Sequence, residues 1–158
     1  MPGRVTVEDR LEAFDVLSRY CWYVDEGEGD AWADLWTPDG VFAGATPEPV
    51  RGREALKKIA TGSLSGGFRH QHSNLFADYG ETRNDLIVRG YNLVTSWLGP
   101  PRLVSMGVVR YHLLRSADTW KIKSKATRML VPADYLPERM PPGFPLPANI
   151  ATTWPPLS

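Results

Sequence analysis

Residues 68–98 read FRHQHSNLFADYGETRNDLIVRGYNLVTSWL, and the texture of this stretch decides the fold. From Phe68 to Asp78, and again from Leu86 to Leu98, the pattern has the period of two that marks a strand. Gly80-Glu81-Thr82-Arg83-Asn84 between them suits a hairpin. Two further strands follow, Leu103 to Leu114 and Trp120 to Leu130, set off by Gly99-Pro100-Pro101 and Ser116-Ala117-Asp118. Upstream the period changes. Between Val5 and Glu26, residues Leu11, Phe14, Leu17, Cys21 and Val24 recur at helical spacing, which predicts an amphipathic helix ended by Gly27 and Gly29. Asp30 is a plausible N-cap for a short helix, Ala31 to Trp36, closed by the turn Thr37-Pro38-Asp39-Gly40. A brief strand at Val41 and Phe42 and a third helix from Gly52 to Ser63 complete the first half. Helices followed by a four-stranded meander predict an α+β fold, with an antiparallel sheet covered on one face by the helices.

The 158 residues call for no second domain. Hydrophobic residues make up 42% and charged residues 23%, an ordinary globular balance. Eighteen basic residues match eighteen acidic ones. No net field gathers phosphates or anionic lipid, so neither nucleic acid nor a membrane is expected as partner. A single cysteine, Cys21, rules out an internal disulfide and a multi-thiolate metal site. The chain has no apolar leader and no run long enough to span a bilayer, and a cytoplasmic location is expected. Residues 131–158 carry eight of the fourteen prolines yet keep Tyr135, Leu136, Phe144, Leu146, Ile150 and Trp154. That is too apolar for a free linker, so a domain over 1–130 is expected to be wrapped by a tail over 131–158, on its own body or on a neighbouring subunit.

The order helix, short helix, strand, helix, four-stranded meander comes with particular words. These are Arg19-Tyr20 with Val24-Asp25, Asp39-Gly40-Val41-Phe42, Gly52-Arg53-Glu54-Ala55, Arg69-His70 with Asn74, and Trp120-Lys121-Ile122. From about Val7 to Leu130 the chain resembles the SnoaL-like, or nuclear transport factor two-like, superfamily. The resemblance implies a cone-shaped α+β barrel, with a curved antiparallel sheet and N-terminal helices on its concave face. The superfamily includes scytalone-type and bile-acid dehydratases, a dehydrochlorinase, polyketide cyclases, steroid isomerases and plain binding proteins, so fold alone decides little about function. In its dehydratase and dehydrochlorinase branches an Asp ends the first helix and a His stands on the first long strand; Asp25 and His70 match them, and Tyr20 matches a further catalytic position. The bile-acid dehydratase's second Asp falls where this chain has Ser96.

The residues themselves carry part of this reading. Asp25 falls among Phe14, Ser18 and Cys21 on the apolar face of the first helix. It also stands beside Glu26 at the helix C-terminus, where the dipole disfavours negative charge. Local rule-breaking of this kind is expected at functional sites, although a helix-end Asp can also turn to solvent. Period two puts His70, His72 and Asn74 on one strand face. An aspartate on one imidazole nitrogen would fix the tautomer and leave the other nitrogen to take a proton. His70-x-His72 is also a metal-like spacing, with Asp25 or His112 as the only further ligands in view. Tyr20 lies toward the edge of the apolar face, as a hydrogen-bond donor to substrate or a core phenol. Asn92 and Ser96 share a face of the second long strand, and Arg128 shares one with Ile122, Ser124 and Ala126 on the last; with His72 and Asn74 these are candidate substrate-binding groups. Cys21 reads as a small hydrophobe rather than a nucleophile. With no G-x-G-x-x-G after a strand and no P-loop, the expectation is a cofactor-independent lyase, a dehydratase or related β-elimination enzyme. Its substrate is expected to be an apolar polyketide-, terpenoid- or steroid-like molecule, and its assembly a homo-oligomer, dimer or trimer. An isomerase or cyclase using the same dyad, or a non-catalytic binding subunit, is the alternative.

Overall fold

The computed structural model describes residues 2–63, 66–130 and 154–157. Three helices, α1 (Val7–Asp25), α2 (Gly29–Asp34) and α3 (Arg53–Ser63), pack on a sheet of six strands. The strands are β1 (Trp36–Ala43), β2 (Val50–Arg51), β3 (Phe68–Tyr79), β4 (Asp85–Ser96), β5 (Arg102–Ser116) and β6 (Thr119–Met129). The sheet runs β2-β1-β6-β5-β4-β3. The expected meander forms β3 to β6, all antiparallel. The sheet as a whole is mixed, because β1 lies parallel to β6. It is curved and unclosed, the cone of a nuclear transport factor two-like fold.

Both ends of α1 have a local cause. Thr6 caps α1, its hydroxyl accepting from the Asp9 amide at 3.1 Å. At the other end Gly27 takes a left-handed φ of 69°. The Glu28 amide donates to the Tyr23 carbonyl at 2.9 Å and that of Gly27 to Val24 at 3.4 Å, the paired bonds of a Schellman stop. Asp25 is thereby the last helical residue. The buried stripe of α1 is Ala13, Val16, Leu17, Tyr20, Val24 and Asp25, rotated from the expected one: Leu11 is exposed. α2 begins earlier than expected, at Gly29, and Asp30 does not cap it. Thr37-Pro38-Asp39-Gly40 lies inside β1 as a register irregularity between Trp36 and Val41. There Gly40 folds so close over the Trp36 ring that a Cβ would sit 2.9 Å from it.

Two of the sheet's bulges decide where the candidate residues face. On β3, Ser73 pairs with Tyr91 but Phe76 with Arg89, so β3 carries one extra residue; Asn74 sits there with φ 54°. On β6, Ile122 pairs with Leu113 and Ser124 with His112, leaving Lys123 as the extra residue. Each bulge inverts the alternation beyond it. The inner face of the sheet therefore carries His70, His72, Ala77 and Tyr79 on β3; Leu86, Val88, Asn92, Val94 and Ser96 on β4; Val109 and Tyr111 on β5; and Ile122, Lys125 and Thr127 on β6. Trp32, Trp36, Trp120, Tyr20, Tyr111 and Leu56 fill the space against the helices. At the far end of the chain, Trp154 stacks over the Arg110 guanidinium, 4.6 Å from the ring centroid, on the outer face of the sheet. The carbonyl of Leu157 accepts from Arg51. The expected wrapping by 131–158 otherwise concerns residues outside the described ones. No helix among the described residues is long and apolar enough to cross a membrane.

Candidate active site

The end of α1 meets the start of β3, and the two sequence pairs Asp25-Glu26 and Arg69-His70 interlock there. Asp25 is buried, 5% exposed, and both its oxygens are taken by one residue. Oδ1 lies 2.6 Å from His70 Nδ1, and Oδ2 accepts from the His70 backbone amide at 2.8 Å. The carboxylate thus fixes both the position of the strand and the orientation of the ring, and with Nδ1–H donating, Nε2 is left as the acceptor nitrogen. Arg69, which sequence reading passed over, holds the helix end. Its guanidinium donates to the Asp25 carbonyl at 3.3 Å and to the Phe68 carbonyl at 2.8 Å, and it pairs with Glu26 at 3.2 Å. A cation at a helix C-terminus offsets the dipole and the two acids there. The signal was present in the sequence as two acids at a helix end and one Arg beside the candidate His.

A pocket of about 570 Å³ opens on this pair, lined by Ser18, Cys21, Trp22, Asp25, Arg69, His70, Gln71 and Trp97. The Trp22 and Trp97 side chains are largely exposed and give its mouth two flat apolar walls. Behind it lies a second layer. His72 Nδ1 is 3.4 Å from Cys21 Sγ, and its Nε2 is 3.1 Å from the Tyr111 hydroxyl. Burial, reinforced by Lys125 and His70, pushes His72 down to about 3, so it is neutral near pH 7. Burial, then the Asp25 charge, pushes Cys21 up to about 12, which keeps it a thiol and a poor nucleophile. Tyr20 is 1% exposed, its ring stacked 5.9 Å from His72 and edge-on to Tyr111 at 5.5 Å. It does not line the pocket but backs the His72 wall. Burial raises its hydroxyl well above the ordinary range.

The other sequence candidates are distributed as follows. Asn92 lies on the inner face directly opposite His72. Ser96 is fully buried and serves the backbone, its hydroxyl donating to the Gly66 carbonyl at 3.0 Å and accepting from the Leu98 amide at 3.4 Å. Asn74 does not share the face of His70 and His72: the bulge and its left-handed backbone turn it to solvent. Arg128 likewise does not share the face of Ile122, because the bulge at Lys123 intervenes. It lies on the outer side with Ser124 and Ala126, 5.8 Å from the Trp154 ring. His112 is also on the outer side, 2.5 Å from Asp85, and both nitrogens of His72 are engaged. Among the described residues no three His, Cys, Asp or Glu side chains converge as a metal would need.

The sequence profile of the SnoaL-like domain matches residues 5–126. No curated protein matches the chain. Among solved structures, the chain is similar to Rv3472, a Mycobacterium tuberculosis protein of unknown function. The two are 22% identical over 83% of this chain and 82% of that one, with a TM-score of 0.73. A Novosphingobium aromaticivorans protein with a provisional scytalone dehydratase name is 20% identical over 79% and 86%, with a TM-score of 0.70. A Catenulispora acidiphila protein in complex with S-DNPA is 26% identical over 78% and 95%, with a TM-score of 0.67.

Proposed function

This chain belongs to the SnoaL-like family, and from that premise we propose that it is a cofactor-independent lyase that removes a C–H proton with the Asp25–His70 pair. The observation that carries the reading is the double attachment of His70 to the Asp25 carboxylate, at 2.6 Å and 2.8 Å, on the wall of a pocket. His70 Nε2 takes the proton of an acidic C–H, and Asp25 holds the ring and stabilises the imidazolium that forms. The C–H electron pair becomes a double bond as the C–O bond to a β-hydroxyl breaks. The imidazolium returns its proton to the departing oxygen, directly or through water, and water leaves. One base serving both steps implies that the proton and the hydroxyl depart from the same face of the substrate.

The walls formed by Trp22 and Trp97 suit an apolar, flat substrate of polyketide, terpenoid or steroid type. The pair would equally form an enolate for isomerisation or ring closure. A non-catalytic binding role is less favoured, because a binding groove gains nothing from a carboxylate spent on orienting one imidazole. The test isolates the shared step: small enolisable polycyclic ketones are incubated with the protein in deuterated water and followed by NMR. Deuterium should enter beside the carbonyl with the wild-type protein and not with His70→Ala. A panel on which the wild type exchanges nothing sinks the reading.

A further inference from the structure

The inner face of the sheet carries three polar side chains that the Asp25–His70 pair does not use. Lys125 and Thr127 are each 2% exposed and Asn92 is 5% exposed. Asn92 stands directly opposite Gly107, which has no side chain. The methyl of Thr127 lies 3.0 Å from where a Cβ on Gly107 would be, so Asn92 and Thr127 approach each other across this glycine. Lys125 is the next inner-facing residue of β6, and its ammonium lies 4.5 Å from the Phe42 ring centroid and 5.6 Å from that of Tyr20. Among the described residues no carboxylate pairs with it. Among the described residues, the buried Asn92 Oδ1 and Thr127 Oγ1 have no hydrogen-bond partner. Buried polar groups are almost always satisfied, and a buried ammonium is normally paired. Three exceptions on one face, on the two strands that flank β5, form a coherent deficit, of the sort that marks a site built for something else.

We propose that Lys125, Thr127 and Asn92 form an oxygen-recognition site for the substrate. The ammonium and the Thr127 hydroxyl donate to a carbonyl oxygen that becomes an enolate, and Asn92 Oδ1 accepts from a neighbouring hydroxyl. The ligand class is a hydroxy-ketone or its enol or phenol equivalent. The proposal rests on the proton-abstraction reading of Asp25 and His70. Asn92 lies two residues along β4 from Val94, which pairs with His70, about 7 Å along the strand, and Lys125 and Thr127 stand two strands further across the inner face. The ligand that spans base and site is therefore a fused-ring one. Donors fixed where negative charge develops stabilise an enolate more than the ketone it comes from. The cation-π contacts hold Lys125 in place without neutralising it, as a carboxylate partner would.

The probe is para-nitrophenol, whose coloured anion stands in for an enolate. The wild-type protein should bind the anion, with a change in its absorbance. Lys125→Met and Thr127→Val should each bind it about tenfold more weakly or worse, the worth of a hydrogen bond to a charged group. Both variants should melt at or above the wild-type temperature, because each removes a buried group without a partner. Wild-type protein that does not bind the anion, or variants that bind it as wild type does, overturn the proposal. If Lys125→Met does not fold, Thr127→Val, a near-isosteric change, decides alone. His70→Ala separates the two readings, since it should bind the anion normally while losing deuterium exchange. Anion binding that depends on Lys125 in a wild-type protein without exchange would keep this site and remove the dyad; exchange with unchanged binding in the two variants would do the reverse.

Discussion

The rim of the cone and its interior treat polar groups in opposite ways. At the rim, Asp25 has both oxygens engaged by His70, and Arg69 satisfies the carbonyl behind it. On the inner face of the sheet, among the described residues, Asn92 Oδ1 and Thr127 Oγ1 have no hydrogen-bond partner and Lys125 meets the Phe42 and Tyr20 rings with no carboxylate beside it. The first region is preorganised: its geometry exists before any ligand arrives, and no reorganisation is needed at the moment of proton transfer. The second, on our proposal, is completed by the ligand, and without it these buried polar groups cost stability. A residue's contribution to function and its contribution to folding should therefore run together at the rim and against each other in the interior.

Five substitutions would break or sharpen that contrast. The largest effect belongs to the rim. His70→Ala and Asp25→Asn should each lower turnover by roughly 10² to 10⁴, the usual worth of a positioned acid or base, and the double variant should be little worse than the worse single one. Steady-state kinetics on a substrate found by the exchange assay would check this, and near-normal rates in either variant would remove the dyad. In the interior, burial pushes Lys125 down to about 8 from the ordinary 10.5. The unfolded chain then holds a proton that the folded one lacks between these values, so the penalty of burying the charge is full below pH 8 and is relieved as pH rises toward 10.5. Lys125→Met should raise stability most near pH 7, by at most roughly 3 kcal/mol, and the gain should shrink above pH 8 in denaturant titrations. A gain independent of pH would mean that the ammonium is not the source.

His72 gives the acid counterpart. It is held near 3 against an ordinary 6.5, so the unfolded chain takes up a proton that the folded one refuses. Stability should fall as pH drops from 6.5, approaching about 1.4 kcal/mol per pH unit from this group. His72→Gln should flatten that slope, and an unchanged slope would move the acid lability elsewhere. The smallest effect is that of Arg69→Met. Losing its bonds to the end of α1 should cost about 1 kcal/mol and lower the exchange rate less than tenfold. A larger loss of rate at unchanged stability would give Arg69 a direct role in the pocket.

Most of the architecture could be read from periodicity. The first helix and the four long strands follow from patterns of three to four and of two, the third helix follows from its run of helix formers, and the separators are turn chemistry. The parallel pairing of β1 with β6 could not be read, because it joins segments with no hairpin between them. The bulges were equally silent. One unpaired residue leaves no mark on a hydrophobic pattern, yet it reverses every assignment downstream, which is why alternation alone puts Asn74 with His70 and Arg128 with Ile122. Tyr20 was set at the edge of a helix whose buried stripe in fact runs through it. Asp25 was legible for a physical reason: a carboxylate on an apolar face at the negative end of a helix breaks two rules at once.

The bulge at Lys123 gives β6 two linings written in one set of letters. In the observed register the strand presents Lys125 and Thr127 inward and Ser124, Ala126 and Arg128 outward. If Lys123 took an ordinary place in the ladder, every residue after it would turn over, and an inner guanidinium would replace the inner ammonium and hydroxyl without a single substitution. In the observed arrangement Lys123 is held to Asp39 and Arg128 lies against Trp154. Gain or loss of one unpaired residue is thus a route by which such a cone can exchange the chemistry of its cavity while keeping its core, a route that comparison of residue identities alone would overlook.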